Sequence, residues 1–323
     1  MVRWFRTDFL RVGRGGRVGL AACLAAGGLL AAACAGAPPS PTVRLTGAQI
    51  ALLTSSGGTA AAAAEVNNAF ELLVQRCMRA KGLVYYPLIL TAAQELNGIG
   101  LAGVPQAPIG LAAREADGYG FYSGAVRAAA NPGQADVSPE EKYAKSAPPS
   151  YVLALLGPEN QRISWTLPGG DSGTSLTGGC RGAAQRRVYG SIANRVVATT
   201  GLDDLTAQLQ AAFSADPAST AVIGRWSGCM ARRGYKYATP EDLWNRLSGR
   251  IDTAPTPALR NLEIKTSVAD YNCAAAVRLL PTIRALEDSH ARYMSKALAG
   301  ELARITQILA RALKVAKAMR VTG

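Results

Sequence analysis

The sequence contains a single histidine, His290, and no Cys-x-x-Cys pair. Closed zinc sites draw four ligands from clustered Cys and His, so this poverty argues against one. It also leaves histidine-based catalysis only one place to sit. Aromatic residues make up 6% of the chain, too few to suggest the stacking platforms of nucleic-acid binders. Alternating apolar–polar runs are scarce, which argues against the strand–helix alternation of solute-binding receptors and for a mainly helical chain. The apolar run near the N-terminus, Val18–Ala33, has 16 residues, short of the roughly 20 that a helix needs to cross a bilayer. The flank before it has no adjacent arginine pair, so the twin-arginine export route is not indicated.

What is present points to export. Arg3, Arg6, Arg11, Arg14 and Arg17 stand against one acid, Asp8, ahead of the apolar run. A basic flank followed by a short apolar stretch is a secretory signal, here residues 1–33. The run ends Leu29-Leu30-Ala31-Ala32-Ala33-Cys34, followed by Ala35-Gly36-Ala37-Pro38-Pro39-Ser40-Pro41. This resembles the lipobox of bacterial lipoproteins, in which a cysteine after small residues is acylated, with palmitate-type chains, and becomes the new N-terminus. Ala31 stands where Leu is commoner, with Leu30 one place early. The alternative is ordinary cleavage and secretion, with Cys34 left as a thiol. On the lipoprotein reading Cys34 anchors the chain to the outer face of the cytoplasmic membrane, and residues 34–58 form a Pro-rich tether. Cys23 leaves with the signal, and an even set remains: Cys77, Cys180, Cys229 and Cys273.

From Cys34 on, the chain carries 30 Lys and Arg against 21 Asp and Glu, a net charge of +9. A basic exported protein is drawn to anionic lipid or anionic wall polymer, whereas export argues against nucleic acid as the partner. The same balance also serves plain solubility.

The chain contains a repeat. Cys77-Met78-Arg79-Ala80-Lys81-Gly82-Leu83-Val84-Tyr85 and Cys229-Met230-Ala231-Arg232-Arg233-Gly234-Tyr235-Lys236-Tyr237 both read C-M-x-x-[KR]-G-x-x-Y. Val66, Phe70, Leu73, Val74 and Cys77 follow helical spacing, so the motif marks a helix end. Lys81 or Arg233 falls in the last turn, where the dipole favours a cation. Gly82 or Gly234 then takes the left-handed closing position. Four cysteines allow three pairings, and the repeat favours Cys77 with Cys180 and Cys229 with Cys273. Each bridge would stabilise by about 3–5 kcal/mol in the chain-entropy model. Free thiols and a metal site are the competing readings.

The pattern W-S-x-C-M-x-x-x-G-Y-x-Y at Trp226–Tyr237, then V-A-D-x-x-C at Val268–Cys273, resembles a group of uncharacterised exported lipoproteins of actinobacteria. Asp216-Pro217 and Gly178-Gly179-Cys180 fit that group. Pro281 and the absence of an Asp three residues before Cys180 depart from it. The resemblance implies compartment and architecture but no activity.

Helices are expected at Thr59–Lys81, Tyr151–Leu156, Leu202–Phe213, Pro217–Arg233, from Thr239, and from Val268 to about Met319 with an interruption at Pro281. Residues 87–178 otherwise read as irregular. The expected division is a first helical unit over 59–200, with a long irregular insertion, and a second over 201–323 with a long C-terminal helix. The C-terminal stretch carries Arg304, Arg311, Lys314, Lys317 and Arg320 opposite Leu302, Ile305, Leu309, Leu313 and Ala316. Such a stripe either packs on the core or lies on an anionic membrane.

Catalytic candidates are sparse. Gly170-Asp171-Ser172-Gly173 matches the core of a trypsin-type serine signature, but that chemistry places its histidine before the serine. His290 lies far downstream, beside Glu287 and Asp288. Glu140-Glu141, Glu241-Asp242 and Glu287-Asp288 are the pairs a carboxylate-dependent wall hydrolase could use. No cofactor motif is evident. The expectation is a non-enzymatic binding or structural protein at the membrane–wall boundary. The ligand or a protein partner would be met by a groove of Tyr85, Tyr86, Tyr119, Trp165 and Tyr237.

Overall fold

The computed structural model describes residues 42–54, 59–92, 109–130, 138–168 and 170–321, together with a two-residue strand, β1, at Leu10–Arg11. The chain is mainly helical and holds both disulfides, Cys77–Cys180 and Cys229–Cys273. The signal segment apart from β1, and Cys34 with residues 35–41, lie outside the described residues.

Thr42–Arg44 forms β2 and Gly47–Thr54 forms α1. The expected 34–58 tether is therefore shorter, because a capping box starts α1. Thr46 N–H donates to Gln49 Oε1 at 2.9 Å, and Gln49 N–H donates back to Thr46 Oγ1 at 3.3 Å. Leu45 and Leu53 are buried. The next element, α2, spans Ala60–Ala80. Its end is a Schellman closure: Leu83 N–H bonds Met78 O and Gly82 N–H bonds Arg79 O, with Gly82 at φ 73°. The second copy of the repeat closes the same way, Tyr235 N–H on Met230 O and Gly234 N–H on Ala231 O.

Residues 109–156, expected to be largely irregular, form α3 (Leu111–Asp117), α4 (Phe121–Ala130), α5 (Pro139–Ala144) and α6 (Ser150–Leu156). An antiparallel hairpin follows, β3 (Arg162–Thr166) with β4 (Ser172–Leu176), and β1 pairs with the outer edge of β4. Cys180 opens α7 (Gly179–Tyr189), followed by α8 (Ile192–Val196), a π-turn at Val197–Gly201 and α9 (Leu202–Ala215). Asp216 caps α10 (Pro217–Arg232), Thr239 caps α11 (Pro240–Thr253) and Thr256 caps α12 (Pro257–Ala276), each with proline in the first turn.

The interruption expected at Pro281 falls just before it. Proline cannot donate to the carbonyl four residues back, so α12 closes at Ala276 and Arg278 turns left-handed at φ 54°. Pro281 sits in the first turn of α13 (Leu279–Ala291), where no such bond is needed. A second break, β5 (Tyr293–Ser295), precedes α14 (Lys296–Val321) and pairs antiparallel with β2.

Three apolar clusters hold these elements. The first joins α2, α6 and α7 around Cys77–Cys180 with Ile308, Ala312 and Ala316 of α14. The second joins α10–α13 around Cys229–Cys273 and takes in Tyr119, Phe121 and Tyr122. The third joins α1, α9, β5 and the start of α14. Each stapled core thus takes elements from the other side of the expected boundary at 200/201. The stripe of α14 packs inward, as Ala312, Ile305 and Leu302 are wholly buried.

Candidate functional site

The aromatic residues expected to line one groove belong to different parts of the fold. Tyr85 is buried, and its hydroxyl donates to Glu71 Oε2 at 2.8 Å. Burial, reinforced by Glu71, pushes its pKa far up. Tyr86 is exposed and packs edge-on to Tyr143 at 5.9 Å between centroids. Trp165 lies across Gly173 in the hairpin and donates Nε1–H to Ser175 Oγ at 3.0 Å. Tyr237 is half-buried beneath the Arg246 guanidinium, 5.4 Å from the ring centroid. Tyr119 stacks on Phe121 at 5.4 Å, and both touch Trp244. Tyr85 belongs to the first core and Tyr119 and Tyr237 border the second; the polar ends of Tyr85, Tyr119 and Trp165 are engaged by Glu71, Asp270 and Ser175.

Two carboxylates of α12, one buried and one half-buried, organise the second unit, and neither was among the candidate site residues. Glu263, wholly buried on α12, accepts the backbone N–H groups of Tyr119 and Phe121 on Oε1 and of Tyr122 on Oε2, all at 2.8–2.9 Å. These are the first, otherwise unpaired donors of α4 and the turn before it. Gly118 makes the approach possible: at φ 62°, an added Cβ would lie 2.6 Å from Glu263 Cγ. Two turns further along α12 is the Asp of the V-A-D-x-x-C pattern. Asp270 accepts Trp226 Nε1–H on Oδ1 at 2.9 Å, and the Tyr119 hydroxyl at 2.7 Å and Arg114 at 2.8 Å on Oδ2. Arg114, itself buried, also donates to Ser267 O and Ile109 O and lies over the Tyr119 ring at 5.0 Å. Burial and the Asp270 charge raise the Tyr119 pKa, so that hydroxyl stays a donor. With every polar end in this cluster engaged by the fold, its chemistry is that of a structural clasp.

In two of the carboxylate pairs one member holds a local bond. Glu140, in the first turn of α5, accepts Tyr86 N–H at 2.9 Å, and burial raises its pKa despite that bond. Asp242 accepts Ala238 N–H and Arg246 at the start of α11. Glu287 is buried, and its pKa is pushed up to about 7, first by burial and then by the Asp288 charge. His290 Nε2 lies 2.8 Å from Asp216 Oδ2. The hydrogen bond from Ala218 N–H, followed by His290, holds the Asp216 carboxyl below its usual range. His290 is thus bound to a helix cap, and Ser172 opens the hairpin strand β4. Among the described residues, no group of three or more His, Cys, Asp or Glu is placed to hold a metal ion. No helix among them is long and apolar enough to cross a membrane.

Charge, by contrast, is segregated. Helices α2, α7 and α14 pack against one another. Their acids are Glu65, half-buried, and Glu71 and Glu301, both buried. Their exposed charges are all basic: Arg76 and Arg79 on α2, Arg186 and Arg187 on α7, and Lys296, Arg304, Arg311, Lys314 and Lys317 on α14. Arg311 lies against Gly190, just past the carbonyl end of α7, where a cation is favoured.

No protein-family model matches the chain, and neither a curated protein nor a solved structure matches it.

Proposed function

We propose that this is a lipid-anchored, disulfide-stapled protein of the outer face of the cytoplasmic membrane that binds an anionic wall polymer without cutting it. The observation that carries the reading is the packed layer of α2, α7 and α14, which exposes bases and buries or half-buries its acids. A polyanion threading along such a layer is held by many weak contacts rather than by one deep pocket. The basic N-terminal flank and the Leu29–Cys34 run support export and acylation. Two long-range disulfides suit an oxidising compartment. Cleavage before Cys34 would remove β1 and leave the outer edge of β4 open.

The test is retention of the chain from residue 35 on immobilised poly(glycerol phosphate), with a salt series. Retention should fall steeply as the screening length contracts from about 10 Å toward 3 Å. The triple variant Arg76→Glu, Lys314→Glu, Lys317→Glu should elute earlier with its unfolding midpoint unchanged. Salt-independent retention, or retention unaffected by the triple variant, would overturn the reading. Release of polymer fragments during the incubation would instead favour the carboxylate hydrolase.

A further inference from the structure

We propose that the β2–β5 ribbon is a second membrane contact, seating the protein on the surface of an anionic bilayer with Tyr293 at the headgroup level. This rests on the lipid anchor at Cys34. Strand β2 begins at Thr42, so seven residues, 35–41, lie between the ribbon and the acylated position. Fully extended, the eight Cα steps from Cys34 to Thr42 reach about 28 Å. A compact chain of this size has a radius of gyration of about 19 Å. The tether is therefore too short to present the far side of the molecule, and the ribbon end faces the lipid.

That end has the composition of a membrane interface. Antiparallel register sets Arg44 opposite Tyr293, and Val43 opposite Met294 on the other face. Met294 is buried in the third core, so Arg44 and Tyr293 point outward. Tyr293, on that outward face, is 55% exposed. Arg292 and Lys296, flanking β5, are also exposed. No acid occurs from Thr42 to Thr54, and α1 carries no charge at all. Asp288, one turn before the ribbon on α13, is the nearest exposed acid in sequence. An amphipathic ring with a polar tip, set among cations, is what the headgroup region accommodates. Each base adds to the attraction of an anionic leaflet, which makes the ribbon a useful second signal beside one lipid group.

The experiment places full-length, acylated Tyr293→Trp protein in vesicles containing anionic lipid, with and without brominated acyl chains. Its difference spectrum against wild type isolates the new indole. The expected result is blue-shifted emission quenched by the brominated lipid, and loss of that quenching in the Arg44→Glu, Arg292→Glu, Lys296→Glu background. Intact mass of the vesicle-bound fraction is read in parallel. An acylated, vesicle-bound chain whose indole is neither shifted nor quenched overturns the ribbon contact alone. A chain without acyl mass and unquenched overturns the anchor, and the ribbon contact with it.

Discussion

Trp226 donates its indole N–H to Asp270 at 2.9 Å, which ties the helix bearing Cys229 to the helix bearing Cys273 one turn away from the disulfide between them. Covalent and polar staples thus clamp the same pair of helices, α10 and α12. Asp270 also pairs with Arg114, whose side chain is 8% exposed, at 2.8 Å. Asp270→Ala would leave that guanidinium buried and unpaired, and the Tyr119 hydroxyl and Trp226 indole without an acceptor. The expected cost is about 3–5 kcal/mol, read from the denaturation midpoint. A loss below about 1 kcal/mol would mean that the clasp is not formed.

Glycines 118 and 82 both have positive φ, at 62° and 73°, but differ in surroundings. A Cβ at Gly82 meets nothing within 4 Å, whereas one at Gly118 meets the Glu263 side chain. Gly82→Ala should cost about 1 kcal/mol from backbone strain alone. Gly118→Ala should cost more, and should speed amide exchange at Tyr119, Phe121 and Tyr122 as Glu263 is displaced. Equal losses at the two positions would contradict the contact.

The two stapled units were legible because their signals are local. The repeat carries its own helix terminator, Gly82 or Gly234, and of the three pairings open to four cysteines it favoured the one found, Cys77–Cys180 and Cys229–Cys273. The clasp was not legible, since Arg114 and Asp270 are 156 residues apart and a lone Arg in an irregular stretch has no periodicity to betray its burial. Helix α1 was hidden by its Pro-rich neighbourhood, although Thr46 and Gln49 spell a capping box. The exposed bases of α14 could be read from the sequence. Their company with those of α2 and α7 could not, because it depends on how three distant helices pack.

Glu287 should give a pH signature of definite sign. Its folded pKa, about 7, lies above the ordinary carboxylate value of 4.5 because burial favours the neutral acid. A raised pKa contributes stability that is complete below about pH 4.5 and is lost as pH rises through about 7. Glu287→Gln should therefore be more stable than wild type at pH 8, by at most about 2 kcal/mol once water at the helix face is allowed for. The advantage should vanish near pH 4.5. Melting temperatures across pH 4–8 decide it, and a difference independent of pH would contradict the burial.

The two disulfides should differ in worth. They span 103 and 44 residues, which the chain-entropy relation converts to about 4.7 and about 4 kcal/mol. Replacing Cys77 and Cys180 together with alanine should then lower the unfolding free energy at least as much as replacing Cys229 and Cys273. The reverse order would show that the Trp226–Asp270 bond does not back up its neighbouring staple.

The most direct test of the account is the intact mass of the protein recovered from its native membrane, before and after reduction. The expected result is a chain beginning at Cys34, heavier by its acyl chains, that gains four hydrogens on reduction of the two disulfides. An unacylated chain, or one retaining residues before Cys34, would contradict the anchored surface protein described above.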